Sequence, residues 1–86
     1  MAWFVYILQS QKDGKRYFGC TKNFADRLAR HEKGYVRTTR GRGPFSLIHV
    51  ERFETRAEAF AREKFFKSWS GRIELARILR AKQPSS

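Results

Sequence analysis

From Trp3 to Leu8 every position is apolar (WFVYIL). In an extended strand Trp3, Val5 and Ile7 take one face, and Phe4, Tyr6 and Leu8 take the other. Two apolar faces predict a strand covered on both sides. The run breaks at the polar Lys12-Asp13-Gly14-Lys15, a hairpin signal in which Asp13-Gly14 can take positive φ. Arg16–Cys20 is the return strand. A two-residue turn at Asp13-Gly14 would set Leu8 opposite Gly19 and Ser10 opposite Tyr17. Tyr6, Tyr17 and Gly19 then share one face, with Gly19 leaving space beside both tyrosines.

Farther along, the period changes from two to that of a helix. Asn23 can cap a helix over Phe24–Lys33, with Asp26 in its first turn and Gly34 as its stop. Phe24 and Leu28 face the core, while Arg27 and His31, also one turn apart, lie on the flank of that stripe. Residues 34–44 (GYVRTTRGRGP) are a basic loop, too rich in glycine for a helix. FSLIHVERF (45–53) is a third strand. Thr55 and Glu58 make a capping box for a helix to about Trp69. The segment SWSG then breaks the chain, residues 72–81 form a last amphipathic helix, and 82–86 form a flexible tail. The expected fold is a small α/β (α+β) domain over residues 1–81. Its three-stranded antiparallel sheet is flanked by helices in the order β-β-α-β-α-α.

Composition sharpens this picture. At 86 residues one thin core is expected, reinforced by 8 Phe, 3 Tyr and 2 Trp. No apolar run approaches a membrane span, and no basic segment precedes a cleavable apolar one, so a cytoplasmic location is expected. The single Cys20 allows no internal disulfide and fits a reducing compartment. Nineteen Lys and Arg against eight Asp and Glu give a net charge of +11. Such a surface usually meets a polyanion, most often nucleic acid, the alternatives being a solubilising surface or an anionic membrane surface. Charge alone does not separate a binder from an enzyme.

The candidate chemistry centres on Glu63, whose helical neighbours Ala59, Phe60 and Phe66 set a carboxylate beside an apolar stripe. It reads either as a boundary residue paired with Lys67 or as a metal ligand. The other acidic residues fall at turns, caps or polar helix faces, and none is placed to share a metal with it, which argues against a two-metal site. Arg27 suits a phosphate through its planar fork, and His31 can donate to phosphate or move a proton. Each also reads as a solvated helix edge, and Tyr6 and Tyr17 also read as core filling. Cys20 has no orienting acid or oxyanion hole to mark it as a nucleophile. No Cys/His cluster has zinc spacing, and no glycine-rich nucleotide loop follows a strand.

Four segments in order, VYI (5–7), YFG (17–19), RLARH (27–31) and EAFAREKFFKSW (58–69), resemble the GIY-YIG nuclease domain over residues 2–78. VRTTRGRGP is similar to the small stand-alone bacterial members, which are related to the nuclease domain of the excision-repair UvrC subunit and to homing endonucleases. The resemblance implies phosphodiester hydrolysis with one Mg²⁺ or Mn²⁺. By position it implies roles for Tyr6 in the first motif, for Tyr17 and Gly19 in the second, for Arg27 and His31, and for Glu63 as the metal ligand. Val5-Tyr6-Ile7 stands where the first motif has Gly-Ile-Tyr, and Phe18 where the second has Ile. Many members carry an Asn after the glutamate, whereas the one Asn of this chain is Asn23. Arg37, Arg40 and Arg42 would grip a nucleic-acid backbone, with DNA expected before RNA. A link to DNA repair or recombination follows from the same likeness. No membrane partner is expected, and the expected state is a monomer or weak dimer. The competing expectation is a nucleic-acid-binding protein that does not cut, or that cuts only with a protein partner supplying recognition.

Overall fold

The computed structural model describes residues 2–33, 41 and 43–82, and for His31 and Glu32 the backbone alone. Its elements are β1 (Trp3–Ser10), β2 (Arg16–Thr21), α1 (Phe24–Glu32), β3 (Phe45–Phe53), α2 (Arg56–Lys67) and α3 (Trp69–Lys82). The strands form one antiparallel sheet in the order β2-β1-β3. The central β1 is covered on both faces, as its doubly apolar pattern requires. Val5 and Ile7 pack with Ala59, Phe66 and Leu75 of α2 and α3. Tyr6 and Leu8 pack with Phe45, against Phe24 and Leu28 of α1.

The hairpin differs from expectation. Tyr6, not Leu8, pairs with Gly19, and Leu8 pairs with Tyr17. The loop has four residues rather than two, because Ser10 organises it. Its N–H donates to the Lys15 carbonyl (2.8 Å), and its carbonyl accepts from Gly14 N–H (2.9 Å). Its buried hydroxyl accepts from the N–H groups of Lys12 and Asp13. Gly14 closes the loop at φ +76°. A slip of two keeps every side chain on its face, so Tyr6, Tyr17 and Gly19 still share one.

On the other edge a bulge interrupts the β1–β3 register between Ile7 and Leu8. It reverses the parity of β3 along its length. Phe53 therefore packs on the α2/α3 side and Phe45 on the α1 side.

The expected break at SWSG is confined to Ser68. Its backbone N–H donates to the Phe65 carbonyl (3.0 Å), closing α2, and its hydroxyl accepts from Gly71 N–H (3.1 Å), opening α3. Helix α3 thus begins at Trp69 rather than residue 72. Gly71 lets the helices meet closely, since a Cβ there would stand 1.7 Å from the Phe65 carbonyl oxygen. Lys82 is the last residue of α3, not the first of the tail, and 83–86 lie outside the described residues. Helix α1 ends at Glu32 rather than Lys33.

Candidate active site

A cleft of about 600 Å³ opens at the end of the edge strand β2, where α1 and α2 approach from opposite faces of the sheet. Arg27 and Glu63 both line it. Local capping sets each of these side chains. The Asn23 side chain accepts from Asp26 N–H (3.1 Å) and its carbonyl accepts from Arg27 N–H (3.1 Å), which fixes the first turn of α1. At α2 the Thr55 hydroxyl accepts from Glu58 N–H (3.2 Å), and the Glu58 carboxylate accepts from Thr55 N–H (3.2 Å). The helical repeat then puts Arg56, Phe60 and Glu63 on one stripe beside the buried stripe of Ala59 and Phe66.

Tyr6 is 3% exposed and lies across Gly19. A Cβ on residue 19 would stand 2.2 Å from both Cζ and the hydroxyl oxygen of Tyr6. The space at Gly19 is therefore occupied by the Tyr6 ring. Burial pushes the Tyr6 hydroxyl above the usual tyrosine range. The charge and hydrogen bond of Arg27 pull it down, and the Glu63 charge adds to the rise. Tyr17 is placed differently. It pairs with Leu8, meets Phe45 edge-on at 5.8 Å and does not line the cleft.

Glu63 is mostly buried, with a side-chain exposure of 14%, and accepts a 3.0 Å bond from Lys67 one turn on. Among the described residues Glu63 is the one carboxylate lining this open cleft, an arrangement that suits a hard cation that keeps several waters and takes phosphate oxygens. Among the described residues no group of three or more His, Cys, Asp or Glu side chains could hold a metal. Cys20 also lines the cleft, but burial and the Glu63 charge push its thiol up, away from the thiolate a nucleophile needs. The side chain of His31, and Arg37, Arg40 and Arg42, lie outside the described residues.

Five further cleft residues escaped the sequence: Trp3, Thr21, Lys22, Arg56 and Phe60. Arg56 and Phe60 had a usable signal, since they precede Glu63 by seven and three residues on one helix. Glu51 also corrects the expectation that the remaining acids sit at turns, caps and helix faces. It stands on β3, where Arg62 clasps both carboxylate oxygens (2.8 and 3.1 Å) and His49 Nε2 lies 2.8 Å away. Lys82 Nζ meets Nδ1 of the same imidazole, so the group ties α3 to the sheet.

A family model described as the GIY-YIG catalytic domain matches residues 2–76. The chain belongs to the GIY-YIG family. GIY-YIG proteins are nucleases, bind nucleic acid and generally use divalent metal ions. Over 65 residues this GIY-YIG chain is 43% identical to a UPF0213 protein of Clostridium perfringens, an overlap of 74% of this chain and 69% of that one. It is also 43% identical over 68 residues to a UPF0213 protein of Natronomonas pharaonis, covering 78% and 79%. The solution NMR structure of a UPF0213 protein from Bacillus halodurans superposes with a TM-score of 0.57 at 34% identity, covering 91% of this chain and 85% of that one. Among the described residues no helix is long and apolar enough to cross a membrane.

Proposed function

We propose that this protein is an endonuclease that hydrolyses phosphodiester bonds in DNA, selects by nucleic-acid structure and serves repair or recombination. The observation that supports this reading is that Arg27 of α1 and Glu63 of α2 line one cleft, with the Tyr6 hydroxyl bonded to Arg27.

Glu63 would hold one Mg²⁺ or Mn²⁺, and an ion there supplies positive charge to phosphate oxygens and favours the loss of nearby protons. Arg27 offers its planar fork to two phosphate oxygens and stabilises the charge that grows on them during in-line attack by water. Tyr6 accepts from Arg27, which orients the guanidinium. Of the two motif tyrosines Tyr6 is the one beside Arg27, so it is the one suited to receive the proton of the attacking water. In that role Tyr6 must first lose its own proton to solvent, which the charge of a cation held at Glu63 would favour. His31, one turn beyond Arg27, would assist by hydrogen bonding or proton transfer. Arg37, Arg40 and Arg42 would hold the backbone without reading bases. The products would carry 5′-phosphate and 3′-hydroxyl ends.

Two observations favour a second reading, a nucleic-acid-binding domain that cuts only with a partner or not at all. Glu63 already bonds Lys67, and burial pushes the Tyr6 hydroxyl above the usual tyrosine range. End-labelled single-stranded, duplex and branched DNA and RNA, incubated with Mg²⁺, Mn²⁺ or EDTA, separate the two. Metal-dependent cutting of DNA supports the nuclease. Tight binding with no cutting in any condition supports the binder.

A further inference from the structure

Phe60 is 51% exposed, although its helix buries Ala59 and Phe66 completely. It lines the same cleft as Arg27 and Glu63, and so does Trp3 of β1. Each ring carries a cation. The Arg56 guanidinium lies 5.9 Å from the Trp3 ring centroid, and Lys64 Nζ lies 5.5 Å from that of Phe60. Among the described residues Lys22, Arg27 and Arg56 face the cleft against the one carboxylate of Glu63, which Lys67 already offsets. Net positive charge selects a polyanion, and the two aromatic rings select a flat apolar partner. A nucleotide combines both. In continuous duplex the base faces are covered by their neighbours, so only an unpaired base has a face free to lie on Phe60 or Trp3.

We propose that Phe60 and Trp3 form a base-stacking subsite for an unpaired nucleotide adjoining the phosphate held at Arg27. The protein then prefers single-stranded segments or flaps to continuous duplex. This subsite rests on the placement of a phosphate at Arg27 under the proposed function, but not on catalysis.

The test is binding in EDTA, where nothing is cut. Trp69 is 78% exposed, so Trp69→Phe leaves Trp3 as the one indole without disturbing the core. Fluorescence is followed as a short oligothymidylate, or an abasic oligomer with the same number of phosphates, is added. The oligothymidylate should quench Trp3 and bind about 5- to 140-fold tighter than the abasic oligomer, the range expected of one stacked base. Phe60→Ala and Phe60→Leu should both shrink that ratio towards one, with unchanged melting temperature and unchanged salt dependence of the abasic complex. Equal affinity for the two oligomers, binding of neither, or a Phe60→Ala protein that keeps the full ratio would each overturn the subsite. Equal affinities beside intact metal-dependent cutting would remove the subsite alone. A full ratio with no cutting would remove the nuclease reading alone.

Discussion

Gly19→Ala places a methyl group where the Tyr6 ring now lies. The new Cβ would stand 2.2 Å from Cζ and the hydroxyl oxygen and 2.7 Å from Cε1, against about 3.5–4.0 Å for carbon atoms in contact. The ring must therefore retreat by more than about 1 Å. It has little room, because Tyr6 is 3% exposed, packs with Leu8 and Phe45, and has the Phe24 ring centroid 6.0 Å away. Overpacking of this kind costs about 1–3 kcal/mol. For a domain of this size the melting temperature falls by about 4–8 °C per kcal/mol. Urea unfolding followed by far-ultraviolet circular dichroism measures the loss. Tyr6→Leu removes the ring tip that the methyl group strikes. Gly19→Ala in that background should cost far less, with a coupling of at least about 1 kcal/mol between the two sites. Additive costs would refute the claim that residue 19 is glycine to admit the Tyr6 ring.

Two other perturbations read out the electrostatics. Burial raises the Glu51 carboxyl, but the hydrogen bonds and charges of Arg62 and His49 outweigh it and hold the group below the usual carboxylate range. Its folded value lies below its unfolded one, so its stabilisation is full above about pH 5 and is lost as pH falls through the folded value. The urea midpoint should drop on acidification, and the drop should be shallower in Glu51→Gln; parallel curves would remove Glu51 from the account. Tyr6 has the opposite linkage, since burial lifts its folded value despite Arg27, so stability falls as pH rises past about 10. Absorbance titration of Arg27→Gln, with Tyr6→Phe to assign the signal, should show Tyr6 ionising still higher, whereas an unmoved titration would contradict the Tyr6–Arg27 contact.

The order of elements was legible because periodicity is local and strong here. Trp3–Leu8 cannot hide either face, and Asn23, Thr55 and Glu58 mark helix starts by their own chemistry. The hairpin register was not legible, because it depends on the buried Ser10 hydroxyl accepting two loop N–H groups. An Asp-Gly pair does not announce that contact. The bulge in β3 was hidden for a related reason, since Phe45 and Phe53 look like one face until the partner strand is known. In the candidate site, Arg27 and Glu63 stood out through residue type and position. Trp3 and Lys22 did not, because they reach the cleft only after the sheet and helices have packed. The Glu51–Arg62–His49 group joins a strand to a helix, a juxtaposition no spacing rule reports.

Under the proposed function Glu63 holds the metal ion on which phosphodiester cleavage depends. The most direct test compares the wild-type protein with Glu63→Gln, purified in parallel, on one end-labelled DNA in Mg²⁺ or Mn²⁺. Both proteins are first matched for melting temperature and for DNA binding in EDTA. Metal-dependent cutting is expected from the wild type, and none above background from Glu63→Gln, which should still bind. Cutting that persists in Glu63→Gln at the wild-type rate would contradict that role for Glu63.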